Sequence, residues 1–106
     1  MKQFVLMHYG GNRELPEKEM ALVMQAWGEW FAALGEAIVD WGSPFSSDIR
    51  TVRDDGSVES ESVETPASGY AIIQAESLGE ALELAKGCPL HLSGGHLTVY
   101  EKLRVM

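Results

Sequence analysis

The sequence predicts an α+β fold in which two β-α-β units share one four-stranded antiparallel sheet, with both helices on one face. Three observations carry that expectation. Residues 16–34 and the stretch after Ser77 repeat apolar residues at three-to-four spacing, and each lies between two apolar, β-favouring runs. Asp55-Gly56 is a hairpin turn signal in the polar middle of the chain. At 106 residues the chain is one domain, 1–106, large enough to bury a core without disulfides or a structural metal.

Each element follows in order. QFVLMHY, residues 3–9, is a strand ended by Gly10-Gly11. Pro16 suits a first helical position, and Glu17 and Glu19 place negative charge at the positive end of the helix dipole. Met20, Val23, Met24, Trp27, Trp30, Phe31 and Leu34 then form one wide apolar stripe, and Gly35 or a neighbour ends the helix. AIVDW, 37–41, is a second strand broken by Gly42-Ser43-Pro44. The β-branched residues around Asp55-Gly56 make a short polar hairpin, and GYAIIQA, 69–75, is the third main strand.

Ser77 with Glu80 has the capping-box spacing, and Leu78, Ala81, Leu82 and Ala85 form the buried stripe of the second helix. Gly87 supplies a left-handed closing residue and Pro89 cannot continue the helix, so Gly87-Cys88-Pro89 is a stop signal. HLTVYEKLRV, 96–105, alternates as the last strand. With right-handed crossovers this order gives the ferredoxin-like split βαβ sandwich, with an extra hairpin between main strands two and three.

Composition narrows the function classes. There are 16 Asp+Glu against 8 Lys+Arg, a formal charge of −8, so the basic footprint that nucleic acid or an anionic membrane requires is missing. One cysteine forms no internal disulfide, which points to a reducing cytoplasm. The first apolar run is too short for a membrane span and lacks a signal-peptide cleavage site.

HYGG after the first strand, WGEWFAALGEA, WGSPF, GYAIIQAESLGEALELAKGCP and GGHLTVYE together resemble the YCII-related family, in its DGPF-domain branch. The resemblance spans nearly the whole chain. It implies a ferredoxin-like fold whose sheets pair into a dimeric α/β barrel, in mostly bacterial proteins without an assigned reaction. SESVETPASGY stands where the branch's Asp-Gly-Pro-Phe would precede Gly-Tyr. Family members proposed to be enzymes carry a His–Asp pair, with His in the first helix and Asp before the proline after the second. Here MALVMQAWGEW has no His and Cys88 precedes Pro89, so that acid–base pair is absent.

Other constellations are weak. Cys88, His91 and His96 have C-x2-H-x4-H spacing, but a structural zinc needs four ligands, so no metal and no cofactor is expected. Cys88 is either a small buried hydrophobe or a thiolate, and a helix C-terminus disfavours the thiolate. Asp54-Asp55 read as solvated turn formers, and no phosphate-cradling or G-x-S-x-G motif occurs.

The sheet faces say more. Ala71, Ile73 and Ala75 alternate with Tyr70, Ile72 and Gln74, and Leu97, Val99 and Leu103 alternate with His96, Thr98, Tyr100 and Lys102. The aliphatic sets belong under the helices. The aromatic and polar sets, with His8, Phe4 and Leu6 placed beside them, form the opposite face. That face predicts a homodimer and a ligand cleft of His8, Trp41, Ser43, Tyr70 and Tyr100. The expected function is a non-catalytic or regulatory dimer binding a small ligand. The alternative is a small enzyme with His8 as general acid/base.

Overall fold

The computed structural model describes residues 1–11, 13–60 and 65–104. Strand β1 spans Lys2–Tyr9, helix α1 Glu17–Leu34, β2 Ile38–Pro44, β3 Thr51–Val52 and β4 Val58–Glu59. Then come β5 over Ala67–Ala75, α2 over Leu78–Ala85, a 3-10 turn over Pro89–Ser93, and β6 over His96–Glu101. The main sheet is antiparallel in the order β2-β5-β1-β6, while β3 and β4 pair only with each other. This is the ferredoxin-like α+β arrangement that the sequence predicts. Part of the polar stretch before β5 and the predicted strand residue Val105 lie outside the described residues, and β6 already ends at Glu101.

Phe4, Leu6, Ile73 and Ala75 are fully buried and pack with Trp30, Leu34, Ala81, Ala85, Cys88 and Leu90. Phe4 and Leu6 therefore lie under the helices, not on the open face where sequence alternation alone placed them. The reason is the position of β1. It is hydrogen-bonded on both sides, to β5 and β6, and both of its faces are apolar, so period-two alternation does not say which set goes inward. Register decides it: Phe4 pairs with Ile73, and Leu6 with Ala71 and Val99, all on the helix side.

Each helix buries a narrower stripe than its pattern predicts. On α1 Val23, Trp30 and Leu34 are buried, whereas Met20 and Met24 are exposed. On α2 Ala81 and Ala85 are buried, whereas Leu78 and Leu82 remain exposed. Leu103, predicted to face inward, follows the end of β6 and is 83% exposed.

The helix ends are closed by specific groups. The Ser77 hydroxyl accepts the Glu80 amide at 3.2 Å, as the capping signal requires. Gly87 is not left-handed as predicted; α2 closes at Lys86 in the αR conformation and runs on to an extended Cys88. What Gly87 does instead is make room. A Cβ there would lie 3.0 Å from the Trp30 ring, whose Nε1 donates to the Leu84 carbonyl at 3.0 Å. The Leu84 carbonyl at the end of α2 thus accepts from Trp30 on α1 as well as from the Gly87 amide at 3.3 Å.

Candidate functional site

The predicted cleft residues fall on two sides of the sheet. Tyr70 and Tyr100 face the open side, together with Tyr9, which pairs with His96 along β1–β6. His8 alternates to the helix side, where its ring lies 5.7 Å from Trp27 on α1 and beside Gly69 of β5. A cleft that combines His8 with Tyr70 and Tyr100 is thus overturned.

Two irregularities in β2 explain the rest. Ile38 pairs with Ile73, Asp40 with Ile72 and Ser43 with Tyr70, so the register slips twice within seven residues. Gly42 makes the second slip possible. Its φ is +73°, and a Cβ there would run into the Tyr70 carbonyl, so only glycine fits. The first bulge turns Asp40 to the open face and sends Trp41 to the other side, 4.9 Å from Phe31. Asp40 then accepts the Gly42 amide at 2.9 Å and the Tyr70 hydroxyl at 3.1 Å. That hydrogen bond and the carboxylate charge raise the Tyr70 phenol above its ordinary range.

Two groupings emerge. On the open face, Phe45 stacks on Tyr70 at 5.9 Å and His96 stacks on Tyr9 at 5.3 Å. The Tyr9 phenol is raised chiefly by the neighbouring Tyr100 hydroxyl. A cavity of about 670 Å³ lies at that end, lined by Tyr9, Pro44, Phe45, Ile49, Arg50 and Pro66 among others. Sequence reasoning missed Tyr9 and Phe45. The alternation of β1 could have found Tyr9, but only the bulges of β2 decide where Phe45 lands.

On the helix side, a chain of rings runs His8–Trp27–Phe31–Trp41, with centroids 5.7, 5.8 and 4.9 Å apart. It leads from a buried imidazole to a Trp41 that is 63% exposed. His8 is 9% exposed, and its Nε2 is buried with no hydrogen-bond partner among the described residues. Burial lowers its pKa, so the ring is neutral at physiological pH. Gly69 keeps the space beside it open, since a Cβ there would lie 3.6 Å from His8 Nδ1 and 2.9 Å from the Ser43 carbonyl. A neutral imidazole with an uncommitted nitrogen can accept or donate one hydrogen bond, or move one proton.

Cys88, His91 and His96 are not gathered. The thiol is buried in the core, and desolvation pushes it up to about 11. His91 Nδ1 lies 3.0 Å from the Cys88 carbonyl, while His96 sits on Tyr9 across the open face. Cys88 is therefore a packed hydrophobe rather than a nucleophile.

No family model matches the chain, and no curated protein matches it. Among solved structures it is similar to the 5-chloro-2-hydroxyhydroquinone dehydrochlorinase TftG of Burkholderia phenoliruptrix AC1100, in complex with 2,5-dihydroxybenzoquinone. Identity is 18% and the TM-score 0.51, over 98% of this chain and 94% of that one. The likeness runs end to end, shows the fold, and is consistent with the YCII-related fold that the sequence motifs imply.

Proposed function

We propose that this chain is a homodimeric, small-molecule-binding protein of the YCII-related, DGPF-branch type, a single cytoplasmic bacterial domain over 1–106. No helix among the described residues is long and apolar enough to cross a membrane. The observation that carries the reading is the buried, unpartnered Nε2 of His8. Leaving such a group unpaired costs about 1–3 kcal/mol, a cost that a ligand hydroxyl or carbonyl removes by bonding to it. The rings beside it, Trp27 and beyond it Phe31, favour a small planar ligand.

The dimer reading rests on the open face. Val5, Met7, Tyr70, Ile72 and Tyr100 lie there with no helix over them, and Tyr100 is 52% exposed. Two such faces packed together bury both sets, at about 25 cal/mol per Å².

A second reading, a small enzyme with His8 as general acid/base, is favoured by the lowered pKa of that ring. The TftG likeness supplies a first probe for both readings: 2,5-dihydroxybenzoquinone, a small planar ring with hydrogen-bonding oxygens. Calorimetric titration of this and related hydroxylated rings should show saturable binding that His8→Leu abolishes. Absence of binding to any such ring at millimolar concentration removes the ligand reading. Consumption of a bound ring by the wild type and not by His8→Leu selects the enzyme.

A further inference from the structure

Opposite ends of the sheet carry features that fit each other. The β3–β4 hairpin leaves the end at which β2 stops, with Pro44 opposite Gly69. One of its faces is polar, with Arg53 donating two hydrogen bonds to the Glu59 carboxylate at 2.8 and 3.0 Å. The other presents the cross-strand pair Val52 and Val58, 69% and 63% exposed. Its turn carries Asp54 and Asp55, and Ser57 bonds to Asp55 and keeps that carboxyl below its usual range. A two-stranded hairpin with a bare apolar face is marginal by itself.

At the other end, where Lys2 pairs with Ala75 and Phe4 with Glu101, lies a groove of about 780 Å³. It is lined by Met1, Lys2, Lys102, Leu103 and Arg104 among others. Met1 and Leu103 are 76% and 83% exposed. Glu101 also lines the groove but pairs with Lys2 at 3.8 Å, which leaves Lys102 and Arg104 beside Met1 and Leu103 to match an apolar hairpin with an acidic tip at the opposite end of the sheet.

We propose that the β3–β4 hairpin of each copy docks in the Met1–Arg104 groove of a second copy, so that two arms clasp the sheet-to-sheet dimer. The proposal rests on the homodimer reading above. Val52 and Val58 cover Met1 and Leu103, and Asp54 and Asp55 meet Lys102 and Arg104. A two-fold axis lying between the sheets and across their strands places each hairpin end over the partner's groove end, so the same contact forms twice.

The area needed also calls for arms. Strands of 8, 7, 9 and 6 residues set about 4.8 Å apart give a flat face of roughly 500 Å². A standard stable interface takes about 800 Å² from each partner. The chain is also less compact than its length predicts, with a radius of gyration of 15.4 Å against about 13 Å for a compact domain of this size.

Sedimentation equilibrium on the full chain tests this with Asp54→Lys/Asp55→Lys, with Lys102→Glu/Arg104→Glu, and with an equal mixture of the two. Each reversed protein should dimerise at least tenfold more weakly than the wild type. The mixture should regain wild-type strength, because both arm–groove contacts of the heterodimer are again between opposite charges. Val52→Ser/Val58→Ser, which changes no charge, should also weaken the dimer at least tenfold. Reversed proteins that dimerise like the wild type, or a mixture as weak as its parents, would overturn the clasp while leaving the sheet dimer standing. A wild type that stays monomeric overturns the dimer reading and the clasp with it.

Discussion

Replacing His8 by leucine should make the protein more stable while removing its ligand site. The imidazole Nε2 has no partner among the described residues, and giving up an unsatisfied buried polar atom gains about 1–3 kcal/mol. Against this stands the loss of the tilted ring contact with Trp27, worth about 0.5–1.5 kcal/mol. Leucine is close to histidine in size and suits a position paired with Leu97 and beside Trp27, so strain is minor. The net expectation is a gain of about 1 kcal/mol, or roughly 4 °C in Tm for a domain of this size. Urea denaturation at pH 7.5 with matched m-values measures it. A loss of about 2 kcal/mol or more would refute the reasoning, because it would mean that the imidazole is already satisfied in the folded protein.

The pH profile gives a linked expectation. The folded His8 pKa lies below its unfolded value, so the unfolded chain binds the extra proton first. Wild-type stability should therefore fall as pH drops below about 6.5, and the part of that slope due to His8 should vanish in His8→Leu; an unchanged slope would contradict it. Gly42→Ala should cost upwards of about 3 kcal/mol, through the left-handed backbone and the clash with the Tyr70 carbonyl, and near-wild-type denaturation would disprove the bulge account. Asp40→Asn should lower the Tyr70 phenol toward its ordinary value, read by ultraviolet titration. Native Cys88 should resist iodoacetamide at pH 8 and react once the chain is unfolded, since its pKa is about 11. Cys88→Ser should cost about 1–2 kcal/mol of stability by denaturation, as a hydroxyl replaces a thiol in an apolar site.

Local signals identified the elements well because each had a local cause. The Ser77 cap, the Asp55-Gly56 turn and the alternation of β5 and β6 all act within a few residues. The site was less legible because its causes are non-local. Alternation groups His8 with Phe4 and Leu6, yet β1 is central and apolar on both sides, and only its pairing with Gly69 and Leu97 fixes which face that set takes. Trp41 and Asp40 were separated by a bulge that depends on how closely Gly42 approaches β5, a contact between residues far apart in sequence. Gly87 marks the end of the helix in the sequence, but what requires glycine there is the Trp30 ring on the other helix rather than a left-handed backbone.

The central claim is that His8 holds a neutral, buried nitrogen open for a ligand. Nitrogen-15 NMR of the imidazoles, recorded against pH and then with 2,5-dihydroxybenzoquinone, tests it most directly. The account predicts that His8 titrates below the ordinary imidazole value of about 6.5, because burial disfavours its charged form, and that its Nε2 resonance moves on ligand addition while those of His91 and His96 do not. A His8 that titrates at or above that value, or an Nε2 resonance indifferent to every planar hydroxylated ring tried, would contradict it.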